Sequence, residues 1–234
     1  MSETPIRINK FLSQVGFCSR RKADELLAQG RITINGEIPE MGTKVKPEDQ
    51  VEVDGKIIEQ NANQEKVYLA VYKPKGVVCT TNARVEKNNI VDFVDYPERI
   101  YPVGRLDKMS EGLILMTNDG EIVNKILRAR HYHDKEYIVT VDKNITEDFL
   151  KKMRTGVPIL DTITRPCTVE QMNEKKFKII LTQGLNRQIR RMCEALDYRV
   201  RTLKRIRIKN ITLDIEKGKY RKLTEAEVKD LYKA

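Results

Sequence analysis

The stretch GRLDKMSEG (residues 104–112) places one carboxylate, Asp107, between Arg105 and Lys108, just ahead of the apolar run LILM. A carboxylate that a cation keeps ionised can act as a nucleophile or a general base. The same residue can equally be half of a structural salt bridge to Arg105 or Lys108, as most such pairs are. The spacing alone leaves both interpretations open.

A second chemically suggestive residue is Tyr137, in KEYIVTV (135–141). It is either an ordinary strand tyrosine with a hydrogen-bonded hydroxyl or a ring that stacks on an unpaired nucleic-acid base. Together with Asp107 and the arginines, Tyr137 completes the set of groups available for chemistry: a carboxylate, an aromatic ring and guanidinium groups.

Other enzyme classes lack their signatures. The sequence has no G-x-x-x-x-G-K-[ST], G-x-G-x-x-G or G-x-S-x-G motif. Four scattered cysteines and two histidines, His131 and His133, do not form a zinc-ligand pattern. We therefore expect no metal or other cofactor. The absence of an export signal and of a long apolar run predicts a cytoplasmic protein that does not enter a membrane.

The charge distribution indicates an anionic partner. The net charge is +10, but residues 1–62 carry 9 Lys/Arg against 10 Asp/Glu. Residues 175–209 hold 12 basic and 2 acidic residues, which leaves little room for local salt bridges. The segment is either a solvated face or, as we favour, a surface for nucleic acid. Its basic residues include Arg187, Arg191, Lys204, Arg205 and Arg207.

Two domains are predicted to position these residues: residues 1–62 and residues 63–234, joined by a polar linker at about 59–66. In the first, Ser19 caps a helix whose first turn holds Arg20, Arg21 and Lys22. Basic residues there oppose the helix dipole unless a phosphate binds, so the cluster is either a solvated face or a phosphate site. Asn35-Gly36 and Asp54-Gly55 each predict a hairpin.

The second domain alternates strands with helices irregularly, which favours an α+β fold with a mainly antiparallel sheet. Thr146 and Thr224 are predicted helix caps. The helix in NRQIRRMCEAL has an apolar stripe, and its charged residues fall together on the opposite side: Arg187, Arg190, Arg191 and Glu194.

Three motifs together resemble the RsuA/RluB/RluE/RluF family of pseudouridine synthases: GRLDKMSEGLILMTNDG (104–120), KEYIVTV and QGLNRQIRRMCEAL (183–196). The segment GVPILDTITRPCTV (156–169) and the form GLNRQIRR are most similar to the RluF type. RINKFLSQVGFCSRRKADELLAQGRITING resembles an S4 RNA-binding domain. Leu185, where the family commonly has arginine, agrees with the RluF type, and Ser110 stands where many relatives have threonine.

The resemblance implies cofactor-free isomerisation of uridine to pseudouridine by a mixed, mainly antiparallel sheet flanked by helices. Asp107 matches the catalytic aspartate and Tyr137 the tyrosine against the target base. Arg190 matches the arginine paired with the aspartate, Leu181 the apolar pocket residue, and Arg105 the arginine that opens the RNA.

The resemblance also implies a substrate. We expect a stem-loop of 23S (large-subunit) rRNA, with the anticodon loop of tyrosine tRNA as a second candidate. A ribosomal assembly intermediate is an expected partner, and the protein is expected to be a monomer. Lys108 and the basic residues named above are expected RNA contacts. The alternative is a non-catalytic S4-type RNA-binding or ribosome-assembly factor.

Overall fold

The computed structural model describes residues 4–59, 65–81, 86–127 and 133–233. The chain forms two compact units, Met1–Lys66 and Val67–Ala234. The middle of the predicted linker, residues 60–64, and His131 lie outside the described residues.

The first unit packs two short helices against small strands. Ser19 caps the second helix as predicted, because its side chain accepts a hydrogen bond from the Lys22 N–H (3.1 Å). Apolar residues of both helices, among them Phe11 and Leu26, share one core with strand residues such as Val51. The elements are β1 (Ile6–Arg7), α1 (Ile8–Gln14), α2 (Arg20–Ala28), β2 (Ile32–Ile34), β3 (Lys44–Val45), β4 (Val51–Val53) and β5 (Lys56–Ile57).

Both predicted hairpin turns form, but they differ in extent. The Asp54-Gly55 turn joins β4 and β5 as expected, with both turn residues at positive φ. At Asn35-Gly36 the chain does turn, but only an isolated bridge, Ile34 to Glu37, follows it. Strand β2 pairs instead with β4, so the turn signal is real and the partner strand comes from farther along the chain.

The second unit is built on a nine-stranded sheet in the order β12-β13-β9-β14-β8-β6-β16, with β15 added to β14 and β7 to β8. Strands β8 and β14 pair in parallel, and the other recorded pairs are antiparallel. The α+β prediction with a mixed, mainly antiparallel sheet is confirmed. The elements are β6 (Tyr68–Lys73), α3 (Ile90–Val94), β7 (Tyr101–Val103), β8 (Glu111–Thr117), α4 (Gly120–Leu127), β9 (Lys135–Val141), α5 (Glu147–Thr155), β10 (Pro158–Ile159), β11 (Thr162–Ile163), β12 (Thr168–Asn173), β13 (Lys176–Leu181), α6 (Gln188–Ala195), β14 (Val200–Ile208), β15 (Ile211–Thr212), β16 (Tyr220–Lys222) and α7 (Glu225–Tyr232).

Both faces of this sheet are covered. Along β8, Ile114 and Met116 join one apolar cluster, while Leu113 and Leu115 join another, as the two-residue period of a strand requires. Helices α5 and α6 contribute to the first cluster, and α4 and α7 to the second. Burial on both sides fixes the register of β8, and with it the loop that precedes the strand.

The basic segment 175–209 is compensated more than its sequence suggests. Acids from elsewhere in the chain supply the partners: Glu170 for Lys178 (2.7 Å) and Glu136 for Arg207 (2.6 Å). The segment therefore carries less unpaired positive charge than its own composition indicates, because strand pairing brings carboxylates from distant parts of the chain next to its basic residues.

Candidate active site

A cleft of about 830 Å³ opens in the second unit. The loop between β7 and β8 forms one wall and carries Asp107; the start of α6 and the strand ends of β9, β13 and β14 form the others. Of the candidate catalytic and RNA-binding residues, eight line it: Arg105, Asp107, Lys108, Tyr137, Leu181, Arg187, Arg190 and Arg205.

The ionic partner of Asp107 is Arg190, 83 residues along the chain. Nε of Arg190 lies 3.9 Å from the Asp107 carboxylate, and the two side chains are 10% and 36% exposed. This is an ion pair without a direct hydrogen bond, and Nε has no hydrogen-bond partner within the described residues. The carboxylate thus remains open to the cleft while a buried cation stabilises its charge.

Arg190 is held on both sides of that contact. One Nη donates to the Met109 carbonyl and the Ser110 hydroxyl, each at 3.2 Å, and the other to the Val200 carbonyl at 3.4 Å. Arg190 lies on the charged side of α6 with Arg187, as its spacing indicated, but it is buried and not exposed. Its burial is tolerated because these three oxygens accept the hydrogen bonds that water would otherwise accept from the guanidinium group. Burial lowers its pKa, an effect that Arg187 reinforces and Asp107 offsets.

The turn that follows β6 is hydrogen-bonded to the loop that carries Asp107. The Lys73 ammonium donates to two carbonyls of its own turn (2.8 Å each) and lies 3.5 Å from the Lys108 carbonyl. The same carbonyl accepts from the Gly76 N–H at 2.8 Å. The Cys79 sulfur accepts from the Leu106 N–H at 3.3 Å. Both neighbours of Asp107 are therefore anchored.

Lys73 is the most unusual charge in this arrangement. It is fully buried at the end of a strand. Its pKa is lowered to about 8, chiefly by burial and also by Arg205, although Cys79 and Asp107 act in the opposite direction. Burial likewise raises the pKa of the Cys79 thiol.

Tyr137 and Leu181 form the apolar part of the cleft. They lie on the paired strands β9 and β13 and are 9% and 3% exposed. Arg205, on β14, is the cross-strand partner of Tyr137, and its guanidinium carbon lies 6.0 Å from the ring centroid. A ring in this position can cover one face of a base.

The remaining basic residues fall into different settings. Lys108 is paired with Glu86 (3.0 Å) and Arg187 with Glu194 (4.0 Å), both at the cleft. Arg191, Lys204 and Arg207 are not part of the cleft lining. Lys204 lies over the Tyr72 ring (5.0 Å). In the first unit, Arg20, Arg21 and Lys22 begin α2 and are exposed.

Two residues that support the site, Lys73 and Cys79, were not singled out in the sequence, and the contact of Ser110 with Arg190 was not expected. A weak signal existed for Lys73, because it is the charged residue that ends the apolar run VYLAVY. Nothing in the sequence marked Cys79, and Ser110 was noted only as a departure from the threonine of many relatives, because both residues make their contacts with distant parts of the chain. Among the described residues, no cluster of His, Cys, Asp or Glu could hold a metal ion, and no helix could span a membrane.

The same architecture occurs in a solved crystal structure of a pseudouridylate synthase. That structure matches with a TM-score of 0.71 and 28% sequence identity, over 97% of this chain and 99% of that one. The fold and the cleft therefore define a pseudouridine synthase, an isomerase that acts on RNA.

Sequence comparisons make the assignment specific. Residues 67–195 match the family model of RNA pseudouridylate synthases, and residues 6–51 that of the S4 domain. The chain is 50% identical, over its whole length and 80% of the relative's, to the dual-specificity RNA pseudouridine synthase RluF of Escherichia coli strain K12. It is 36% identical to ribosomal large subunit pseudouridine synthase B of Bacillus subtilis strain 168, covering 96% and 95% of the two chains. The chain belongs to the RNA pseudouridylate synthase family, and catalysis is favoured over the non-catalytic alternative.

Proposed function

We propose that the protein isomerises one uridine in a stem-loop of 23S rRNA and that the anticodon loop of tyrosine tRNA is its second substrate. The observation that carries the proposal is the Asp107–Arg190 pair at the mouth of a cleft that also contains Tyr137. The similar proteins support the substrate class: the Escherichia coli relative is called a dual-specificity RNA pseudouridine synthase, and the Bacillus subtilis relative a ribosomal large subunit enzyme.

In the proposed reaction the target uridine leaves the RNA stack, because its sugar cannot be reached inside a helix. Arg105, exposed beside Asp107, takes part in opening the stem-loop and holding the extruded nucleotide. Tyr137 packs against one face of the base and Leu181 lines the pocket around it. Arg190 places a positive charge 3.9 Å from the Asp107 carboxylate.

Asp107 then acts on the ribose. As a nucleophile it attacks C1′ and displaces uracil; as a base it removes the C2′ proton, and uracil leaves from the resulting carbanion. In either case the base turns and its C5 bonds to C1′. In the first route the ester bond between Asp107 and C1′ breaks as this bond forms, and in the second the C1′=C2′ double bond left by the departing uracil takes the proton back at C2′. The C5 proton is then lost while N1 gains one. A deuterium isotope effect at C2′ distinguishes the two roles, since only the second breaks that bond.

The basic surfaces are proposed to bind phosphates. Arg20, Arg21 and Lys22 stand at a helix N-terminus, where N–H groups and cations can meet one anion. Lys108 and Arg187 lie at the cleft, and Arg191, Lys204 and Arg207 elsewhere in the second unit. Arg205 is proposed to contact the RNA from its buried position in the cleft. Because acids already pair with Arg207, its share is expected to be the smallest.

The proposal places the enzyme in the cytoplasm, as a monomer that meets its rRNA in a ribosomal assembly intermediate. The test is primer extension after carbodiimide treatment of RNA from a strain lacking the gene. One large-subunit stop and one tyrosine-tRNA stop should disappear and return with the wild-type gene. Retention of every large-subunit stop would overturn the rRNA assignment, and retention of the tRNA stop alone would overturn the second substrate.

A further inference from the structure

Arg205 occupies an unusual position for a cation. It lies in the middle of β14, is 3% exposed, and its Nε donates to the Leu113 carbonyl at 2.7 Å. Its backbone is confined from both sides, since it pairs with Gly112 on β8 and Tyr137 on β9. A Cβ placed on Gly112 would come within 2.7 Å of the Arg205 nitrogen. The guanidinium group is therefore held by a rigid frame.

One nitrogen of this guanidinium group lacks a hydrogen-bond acceptor among the described residues. Nη2 of Arg205 is buried and has no hydrogen-bond partner within the described ranges. Leaving a charged donor buried without an acceptor is costly, so native proteins rarely keep one without a reason. Arg205 nevertheless lines the cleft, where a bound molecule could supply the missing acceptor.

The surroundings indicate which part of the RNA supplies it. The guanidinium lies 6.0 Å from the Tyr137 ring centroid, and the apolar Leu181 and Leu203 also line the cleft. An uncharged, flat base fits this apolar environment better than a phosphate, which carries its charge and water with it. Other cations lie nearby, since Arg190 lines the cleft with Asp107, and the buried Lys73 is close enough to Arg205 for their charges to interact.

We infer that Nη2 of Arg205 binds a carbonyl oxygen of the flipped uracil and stabilises the detached base. The inference rests on the proposed function. When the C1′–N1 bond breaks, its electron pair leaves with uracil and spreads onto O2 and O4. A guanidinium fixed before the reaction stabilises that charge as it forms. When C5 has bonded to C1′, the C5 proton is lost and N1 is protonated, so the base is neutral again.

The test compares binding of two stem-loop RNAs, one with uridine at the target position and one with an abasic nucleotide there. The wild-type enzyme should bind the uridine RNA more tightly. Arg205→Gln should bring the ratio of the two Kd values close to one and lower kcat by roughly 10²-fold. Arg201→Gln, a matched change at an exposed position of the same strand, should leave the ratio at its wild-type value.

Each other outcome has a defined meaning. Equal weakening of both RNAs by Arg205→Gln would place the contact on the RNA backbone and overturn the inference while leaving the proposed function intact. A wild-type enzyme that isomerises neither proposed RNA would instead overturn the proposed function. Should Arg205→Gln not fold, Arg205→Lys keeps the buried charge without the Nη2 fork, and a wild-type ratio in that variant would also overturn the inference.

Discussion

Replacing Asp107 by asparagine separates charge from shape at the centre of the cleft. The side chains are nearly the same size, so the loop between Leu106 and Lys108 keeps its anchors. What disappears is the negative charge 3.9 Å from Arg190. At that distance Coulomb attraction amounts to about 1 kcal/mol in water and about 4 kcal/mol at an effective dielectric of 20.

The loss of stability in Asp107→Asn should lie near the lower of these two energies. The Asp107 side chain is 36% exposed, so water screens much of the attraction, and asparagine is also easier to desolvate. We expect a decrease of about 1–2 kcal/mol in the free energy of unfolding, measured by urea titration. Turnover should fall far more, by roughly 10²–10⁴-fold or beyond, because an amide can act neither as the nucleophile nor as the base.

The assay follows tritium released from C5 of the target uridine, together with the Kd of the same RNA. Asp107→Asn should lose tritium release and keep a Kd within about threefold of the wild type, since the phosphate contacts are untouched. Asp161→Asn, a charge loss at an exposed turn, should change neither. Release near the wild-type rate would refute the role of Asp107, and a large loss of binding would show that its carboxylate organises the RNA site.

Three further predictions concern stability and RNA binding. The pKa of Lys73 is lowered to about 8 in the folded state, so the protein takes up a proton when it unfolds between pH 8 and 10.5. The free energy of unfolding of the wild type, measured relative to that of Lys73→Met, should therefore rise over that pH range by up to about 3 kcal/mol. A pH-independent difference in urea midpoint would contradict this. Gly112→Ala should lower the free energy of unfolding by several kcal/mol, because Gly112 has a positive φ and the added Cβ would clash with the Arg205 backbone. Gly184→Ala is the control, since a Cβ there would enter open space. Similar melting temperatures of the two variants would refute the packing argument. Arg20→Glu should weaken RNA binding and flatten its salt dependence without changing kcat at saturation; an unchanged salt slope would exclude a phosphate contact there.

Local signals in the sequence predicted local structure well. Ser19, Thr146 and Thr224 cap their helices, because a hydroxyl satisfies a nearby N–H and needs nothing from the rest of the chain. The type of fold also followed, since strand and helix periods are local properties.

What could not be predicted depends on contacts between distant segments. The outward-facing pattern of α6 gave no indication that oxygens near residue 110 would bury Arg190, nor did Asn35-Gly36 reveal that β2 would pair with β4. The Asp107–Arg190 contact was anticipated through the family resemblance, whereas spacing pointed equally to Arg105 and Lys108. The catalytic and RNA-binding roles of these residues remain predictions for the variants above.

The parallel pairing of β8 with β14 has a consequence for biosynthesis. It joins Gly112 to Arg205, residues separated by most of the catalytic unit, and the same fold brings Arg190 to Asp107. Contacts of such long range form late and slow folding. A growing chain therefore displays the GRLD loop long before the helix and strand that complete the cleft exist. The Asp107–Arg190 pair and the cleft wall formed by β14 can therefore form only after most of the catalytic unit has been synthesised.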